Sequence, residues 1–217
     1  PEAIAPMSLR YALIVLFCLV SFAAQAQLGT LRVVSDHNYP PFLFLGEDGQ
    51  PRGYVVDLWS LWEKKTGIHV ELTPANWALA QRDMLAGRYD AIDLIFHTRG
   101  RDPLYDFSGP YAEVPVGIFV HKSISGLQGP RDLAGFRIGV MAGDACIEHL
   151  RDLGVSDLRF FRDYQDVIRA ASNEEIKLFC MDEHPANFYL YKLKANGLFK
   201  RAFFLYTGKF NWAVRKG

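Results

Sequence analysis

The chain is poor in cysteine, with Cys18, Cys146 and Cys180 among 217 residues, and none stands at metal-ligand spacing. It has no surplus of either charge: 24 basic side chains face 24 acidic ones. A nucleic-acid role normally rests on a basic excess, so that class is excluded, whereas a small charged ligand needs only local charge. After the first thirty or so residues there is no internal repeat and no low-complexity tract. No Gly-rich phosphate loop and no nucleophile–base pair appears, so catalysis lacks a constellation to carry it and no cofactor is implied. A long apolar run is missing too, since Tyr11 to Ala24 falls short of the ~20 residues of a membrane-spanning helix.

That short run instead follows the basic start Met7-Ser8-Leu9-Arg10 and precedes Ala24-Gln25-Ala26, the small-x-small pattern of a secretory signal peptide. Residues 1–26 are therefore expected to be a signal peptide with upstream residues, and the exported chain to begin near Gln27. Cys18 lies inside the signal, after a Phe17 too bulky for a lipoprotein cleavage site. Cys146 and Cys180 remain in the exported chain, either as two buried thiols or as one bridge, which an oxidising compartment permits and geometry decides.

What is present is an alternation of short β runs with amphipathic helical runs. Strands are predicted at Leu31–Ser35, Ile68–Leu72 and Ala91–Phe96, with helices at Gly53–Thr66 and Trp77–Ala86 that end at Gly67 and Gly87. After the extended run Val114–His121 and a Gly/Ser/Pro-rich stretch, a second series follows. It has strands at Arg137–Met141, Leu158–Phe161 and Ile176–Met181, and helices at Asp144–Leu153, Tyr164–Ser172 and Pro185–Asn196. Phe203–Tyr206 and Asn211–Arg215 read as two extended segments leading back to the first series. Such alternation predicts parallel sheets with helices on both faces, hence an α/β protein of two lobes, with ligands beyond the carboxyl ends of the strands.

Arg101 carries the sharpest chemical signal. It follows a short apolar strand and Thr98, and stands six residues before Phe107-Ser108-Gly109-Pro110-Tyr111. A guanidinium is always charged and its planar fork matches a carboxylate bidentately. Taken alone it reads equally as a surface arginine before a turn.

Several further motifs share an order with it. They are Asp36-His37-Asn38-Tyr39-Pro40-Pro41-Phe42, Gly53-Tyr54-Val55-Val56-Asp57-Leu58, and Trp77 through Gly87-Arg88-Tyr89-Asp90. Thr98-Arg99-Gly100-Arg101 leads to Asp106–Tyr111, and Phe136–Gly143 and Cys180-Met181-Asp182 complete the set. On these motifs, from Leu31 to Gly217, the chain resembles the type II periplasmic solute-binding proteins of the polar amino acid class, bacterial extracellular solute-binding family 3. The resemblance implies a two-lobed Venus flytrap fold with a cleft between lobes: residues 27–113 as lobe 1, 114–206 as lobe 2 and 207–217 as the return to lobe 1. It implies a periplasmic protein that closes over a free amino acid and is not an enzyme.

It also implies roles. Arg101 takes the ligand's α-carboxylate, with Thr98 and the amides after Gly143; Asp182 takes the α-ammonium; Tyr39 and Trp77 sandwich the ligand side chain; Asp36 lies at the pocket floor. The alternative readings are core aromatics for Tyr39 and Trp77 and a helix N-cap for Asp182, but a buried acid opposite a buried arginine favours zwitterion capture. Asp57 and Asp106 read as structural, and His37 and His97 as rim residues.

The chain departs from the family pattern in three places. The segment between Asp90 and Thr98 is one residue short; Asp144 and Ala145 stand where carboxylate-binding members often carry threonine; and Gly217 is reached where relatives continue into a helical stretch. Asp36, Asp144, Asp182 and Glu183 outnumber Arg101 near the expected cleft, an acidic surplus that suits a cationic ligand side chain. Two partners are then open: the chain's own downstream membrane and signalling domains (histidine kinase or cyclic-di-GMP enzyme), or an ABC permease. Gly139–Ala145 and Asn211–Gly217 look more like the sensor-fused branch. A dehydratase-like enzyme would need His97 or Glu183 within reach of a substrate proton.

Overall fold

The computed structural model describes residues 29–217, so the expected signal peptide lies outside the described residues. Strands β1 (Leu31–Asp36), β5 (Val70–Ala75) and β6 (Ala91–Phe96) alternate with helices α1 (Tyr54–Thr66) and α2 (Trp77–Leu85). A small three-stranded antiparallel sheet of β2 (Asn38–Tyr39), β3 (Leu43–Leu45) and β4 (Pro51–Arg52) sits between β1 and α1. Next come β7 (Tyr105–Phe107) and β8 (Ala112–His121), then a 3-10 turn at Pro130–Leu133. The second series runs β9 (Ile138–Met141), α3 (Cys146–Asp152), β10 (Leu158–Phe161), α4 (Tyr164–Ser172), β11 (Leu178–Asp182) and α5 (Glu183–Lys192). The long strand β12 (Phe199–Arg215) closes the order.

Local chemistry accounts for the boundaries. Gly67 ends α1 in the left-handed region at φ 73°, and its N–H donates to the Glu63 carbonyl. Asn76 caps α2 by accepting the Leu79 N–H, and Asp163 caps α4 by accepting the Asp166 N–H. Strands β6, β9 and β11 are buried along their whole length, which is why they read as largely apolar runs, broken only by Asp93 within β6 and Asp182 at the end of β11.

Both series are parallel internally: β1 pairs with β5 and β6, and β9 with β10 and β11. The connection between them is antiparallel. β8 pairs with β11, and β12 pairs with β8 before it reaches β6 and β7. The result is one mixed sheet in the order β10-β9-β11-β8-β12-β6-β1-β5, with β7 beside β12. The two extended segments expected at 203–206 and 211–215 are one strand. Gly208 joins them, because a Cβ there would lie 2.3 Å from the Phe96 ring. Register shifts between Arg201 and Phe203, and between Phe204 and Tyr206, blur its alternation.

Cys146 and Cys180 are bonded to each other, with Cα atoms 6.2 Å apart. The bridge ties the start of α3 to the middle of β11.

Candidate functional site

The parallel strands of both series present their carboxyl ends to one place. Asp36 ends β1, Phe96 ends β6, Met141 ends β9 and Asp182 ends β11, while Trp77 opens the helix after β5. With Tyr39, Arg101, Asp144 and Tyr164 these residues line a single small cavity. Six of the eight sequence-predicted site residues are thus brought together: Asp36, Tyr39, Trp77, Arg101, Asp144 and Asp182. Thr98 instead lines a neighbouring cavity of about 440 Å³, together with Phe107, His149, Tyr206, Lys209 and Asn211. That cavity is larger, but the buried acids and Arg101 belong to the small one, and Phe96 lines both. Gly143 enters the site through its backbone.

Arg101 sits in the turn after β6, where its N–H donates to the Thr98 carbonyl and hydroxyl. Its side chain is buried. Nη1 donates to the Phe96 carbonyl at 2.9 Å and Nη2 to the Gly143 carbonyl at 2.7 Å. The guanidinium carbon lies 5.5 Å from the centre of the Trp77 ring, a cation–π distance. Trp77 Nε1 and Gln81 Nε2 also donate to the Gly143 carbonyl, at 3.0 and 3.1 Å.

Opposite stand the acids. Asp182 occupies the N-cap position of α5 yet makes no side-chain cap, so helix capping is not its job. Its carboxylate accepts from the Tyr39 hydroxyl and, at 3.3 Å, from the Tyr164 hydroxyl, while Oδ1 is buried without a partner. Asp144 accepts from the Tyr164 hydroxyl at 2.5 Å and from the Cys146 N–H at 2.7 Å. This second bond changes the expected arrangement: an amide after Gly143 meant for the ligand serves the chain's own aspartate. Asp36 accepts the Asn38 N–H, its Oδ1 lies 3.5 Å from His37 Nδ1, and its Oδ2 is unpartnered. Burial pushes the carboxyls of Asp36 and Asp144 up; burial and then the neighbouring Asp144 push Asp182 well up.

Other expectations fall outside the cavity. Glu183 pairs with Arg201 and points away, so the acidic surplus rests on three residues. His97 is exposed and pairs with Asp102 at 2.9 Å, and half-buried His37 meets the Ala75 carbonyl. Asp57 and Asp106 are exposed. Tyr164 and Gln81 were not singled out in the sequence, where both read as ordinary helix positions. The one available signal was Tyr164 as the first residue of a helix, a place where a phenol reaches past the strand ends.

Residues 31–207 match the bacterial extracellular solute-binding proteins, family 3. The chain belongs to this family. The L-cystine-binding protein TcyJ of Escherichia coli (strain K12) is 33% identical over 147 residues, covering 64% of this chain and 55% of that protein. The chain thus spans about half the length of the curated relatives it matches. Among solved structures, a histidine kinase sensor domain with similarity to periplasmic binding proteins superposes with a TM-score of 0.81 at 23% identity, covering 87% and 83% of the two chains. An ancestral arginine-binding protein bound to arginine gives 0.78 at 27% identity over 87% and 85%. The fold is that of periplasmic binding proteins, and the family is one of extracellular solute binding. Among the described residues no helix is long and apolar enough to cross a membrane.

Proposed function

We propose that this protein binds a free amino acid with a cationic side chain in the periplasm, by closure of two lobes, and is the sensory input domain of a membrane signalling protein. One observation carries the reading. Arg101 and the three acids Asp36, Asp144 and Asp182 share one buried cavity at facing strand ends. Arg101 suits an α-carboxylate and Asp182 an α-ammonium, and the two remaining acids favour a further positive charge on the solute. Arg101 follows β6 and Asp182 ends β11, so a zwitterion held by both bridges the two series. It then stabilises the closed state through contacts that only closure supplies. In this reading residues 27–113 and 207–217 form one lobe and 114–206 the other, with β8 and β12 running between them.

The likeness to an arginine-binding protein and to an L-cystine-binding protein supports an amino acid as the solute class. The sensor role is supported by Gly139–Ala145 and Asn211–Gly217, which resemble the sensor-fused branch. The second reading, the solute-binding subunit of an ABC amino acid transporter, uses the same cleft. A hydrophobic run of ~20 residues downstream would decide for the sensor.

The test is thermal unfolding against the twenty amino acids, cystine and polyamines, because a solute that binds only the folded state raises the midpoint. A rise with arginine, lysine or ornithine is expected. A rise with glutamate and none with arginine overturns the cationic preference, and no rise with any amino acid overturns the solute class.

A further inference from the structure

The Gly143 carbonyl is the most heavily used acceptor in the cleft. Arg101 Nη2, Trp77 Nε1 and Gln81 Nε2 converge on it at 2.7, 3.0 and 3.1 Å. A neutral carbonyl has two lone pairs, so three donors, one of them cationic, exceed its complement and suit an anion better. The same substitution of neutral for charged partners recurs across the cavity. The Tyr39 hydroxyl lies on Asp182, and the Tyr164 hydroxyl spans Asp144 and Asp182. Every bond that a zwitterion would make to Arg101 or Asp182 competes with one the chain already makes to itself. The cavity that remains measures about 20 Å³, enough for one water and far too small for an amino acid.

The loop at Gly143 is shaped for this fit. Gly143 has φ +80°, and a Cβ there would come within 2.5 Å of Gln81 Nε2. At the cleft rim further bonds join the same two series with no solute involved. Asn76 Nδ2 donates to the Arg162 carbonyl at 2.7 Å, Arg99 pairs with Asp152 at 2.9 Å, and the Gly100 N–H donates to Glu148.

We propose that the Gly143 carbonyl is an internal competitor of the solute: secured by Gln81, it plugs the donors Arg101 and Trp77 Nε1, so that the cleft closes on itself without solute. This rests on the amino acid reading only for the identity of what evicts the plug. Arg101 and Trp77 line the cavity and are shared between the plug and a solute carboxylate, whereas Gln81 does not line it, reaches the Trp77 carbonyl at 3.4 Å as well as the plug, and is a positioning residue. Solute affinity is then reduced by the fraction of protein held shut, and loosening the plug restores it.

The experiment compares wild type with Gln81→Leu and Gln81→Met, both at a half-buried helix position, with circular dichroism verifying the fold. Small-angle scattering without solute comes first. Wild type is expected to have the radius of gyration of the closed structure and both variants a larger one. An expanded wild type that contracts on adding L-arginine overturns the proposal, as does a variant as compact as wild type. Calorimetric titration with L-arginine comes second. Loss of one neutral cross-cleft hydrogen bond should tighten binding roughly three- to tenfold. Weaker binding in both variants overturns the assignment of Gln81 to the plug. If no amino acid binds any of the three proteins while the scattering result holds, the plug stands and the amino acid reading falls.

Discussion

Arg101 and Asp182 carry opposite demands on burial, and each gives a measurable consequence. Arg101→Met keeps the aliphatic stem and removes the fork, leaving the Gly143 carbonyl its bonds to Trp77 and Gln81. A charge-assisted contact contributes about 1.5–3 kcal/mol, so the affinity for L-arginine should fall by about ten- to hundredfold or more with the fold retained. Calorimetry that finds unchanged affinity removes Arg101 from the site. Asp182 makes a prediction in pH. Its folded carboxyl is held above its ordinary range, chiefly by burial, so the folded chain binds that proton more tightly than the unfolded one. The stability this gives is full at low pH and is lost as pH rises above about 4, toward the raised folded value. Half-buried Asp83 and Asp90, held low by Arg82 and Arg32, act in the opposite sense. The difference between wild type and Asp182→Asn therefore isolates the effect: the variant's melting temperature should decline less between pH 4 and 8. Parallel curves would sink the argument. At this scale the sequence displayed the charged residues, because Arg101 and Asp182 lie in ordered motifs. It hid Tyr164 and Gln81, whose roles come from groups distant in the chain. Asp93 was hidden in the same way: it is a fully buried acid held by Trp59, Tyr111 and the Leu94 N–H.

Elements were legible where burial is one-sided or complete. β6, β9 and β11 showed as largely apolar runs, and α1 and α2 as amphipathic runs with a glycine at or just past the C-terminal end of each. The strands of two or three residues, β2, β3, β4 and β7, are too short to show a period. β12 was read in two pieces because Gly208 and Lys209 interrupt its apolar pattern. The pairing of Cys146 with Cys180 was equally beyond reach, since spacing alone does not place α3 against β11. The bridge closes a loop across a separation of 34 residues, so its removal should lower the unfolding free energy by about 3–4 kcal/mol. Urea unfolding of Cys146→Ala/Cys180→Ala beside wild type measures this, and equal midpoints would contradict a bridge in the folded protein.

Across the whole molecule, the ionic contacts at the cleft rim are numerous but exposed. Arg99 is largely solvated even while paired with Asp152, and exposed pairs contribute only about 0–1 kcal/mol. Arg99→Ala should therefore change L-arginine affinity less than about fivefold, and it should blunt the response of the ligand-free radius of gyration to added salt. A change beyond tenfold would make the rim, and not the buried cradle, the seat of closure. The alternation of elements was enough to read two α/β series, yet their union in one sheet was not, because it depends on β8 and β12 pairing along most of their length. That union has a bearing on how the protein is made. Among the described residues, the edge of β6 away from β1 is covered by Phe210, Asn211 and Ala213, far downstream. A chain emerging from its N-terminus can fold α1 and α2 early, but the first sheet keeps a bare edge until β12 arrives. Non-local pairing of this kind is slow and leaves the intermediate open to capture. A chain that cannot finish folding stays slack, and slack is the form in which a polypeptide can be held by a chaperone or threaded through a pore.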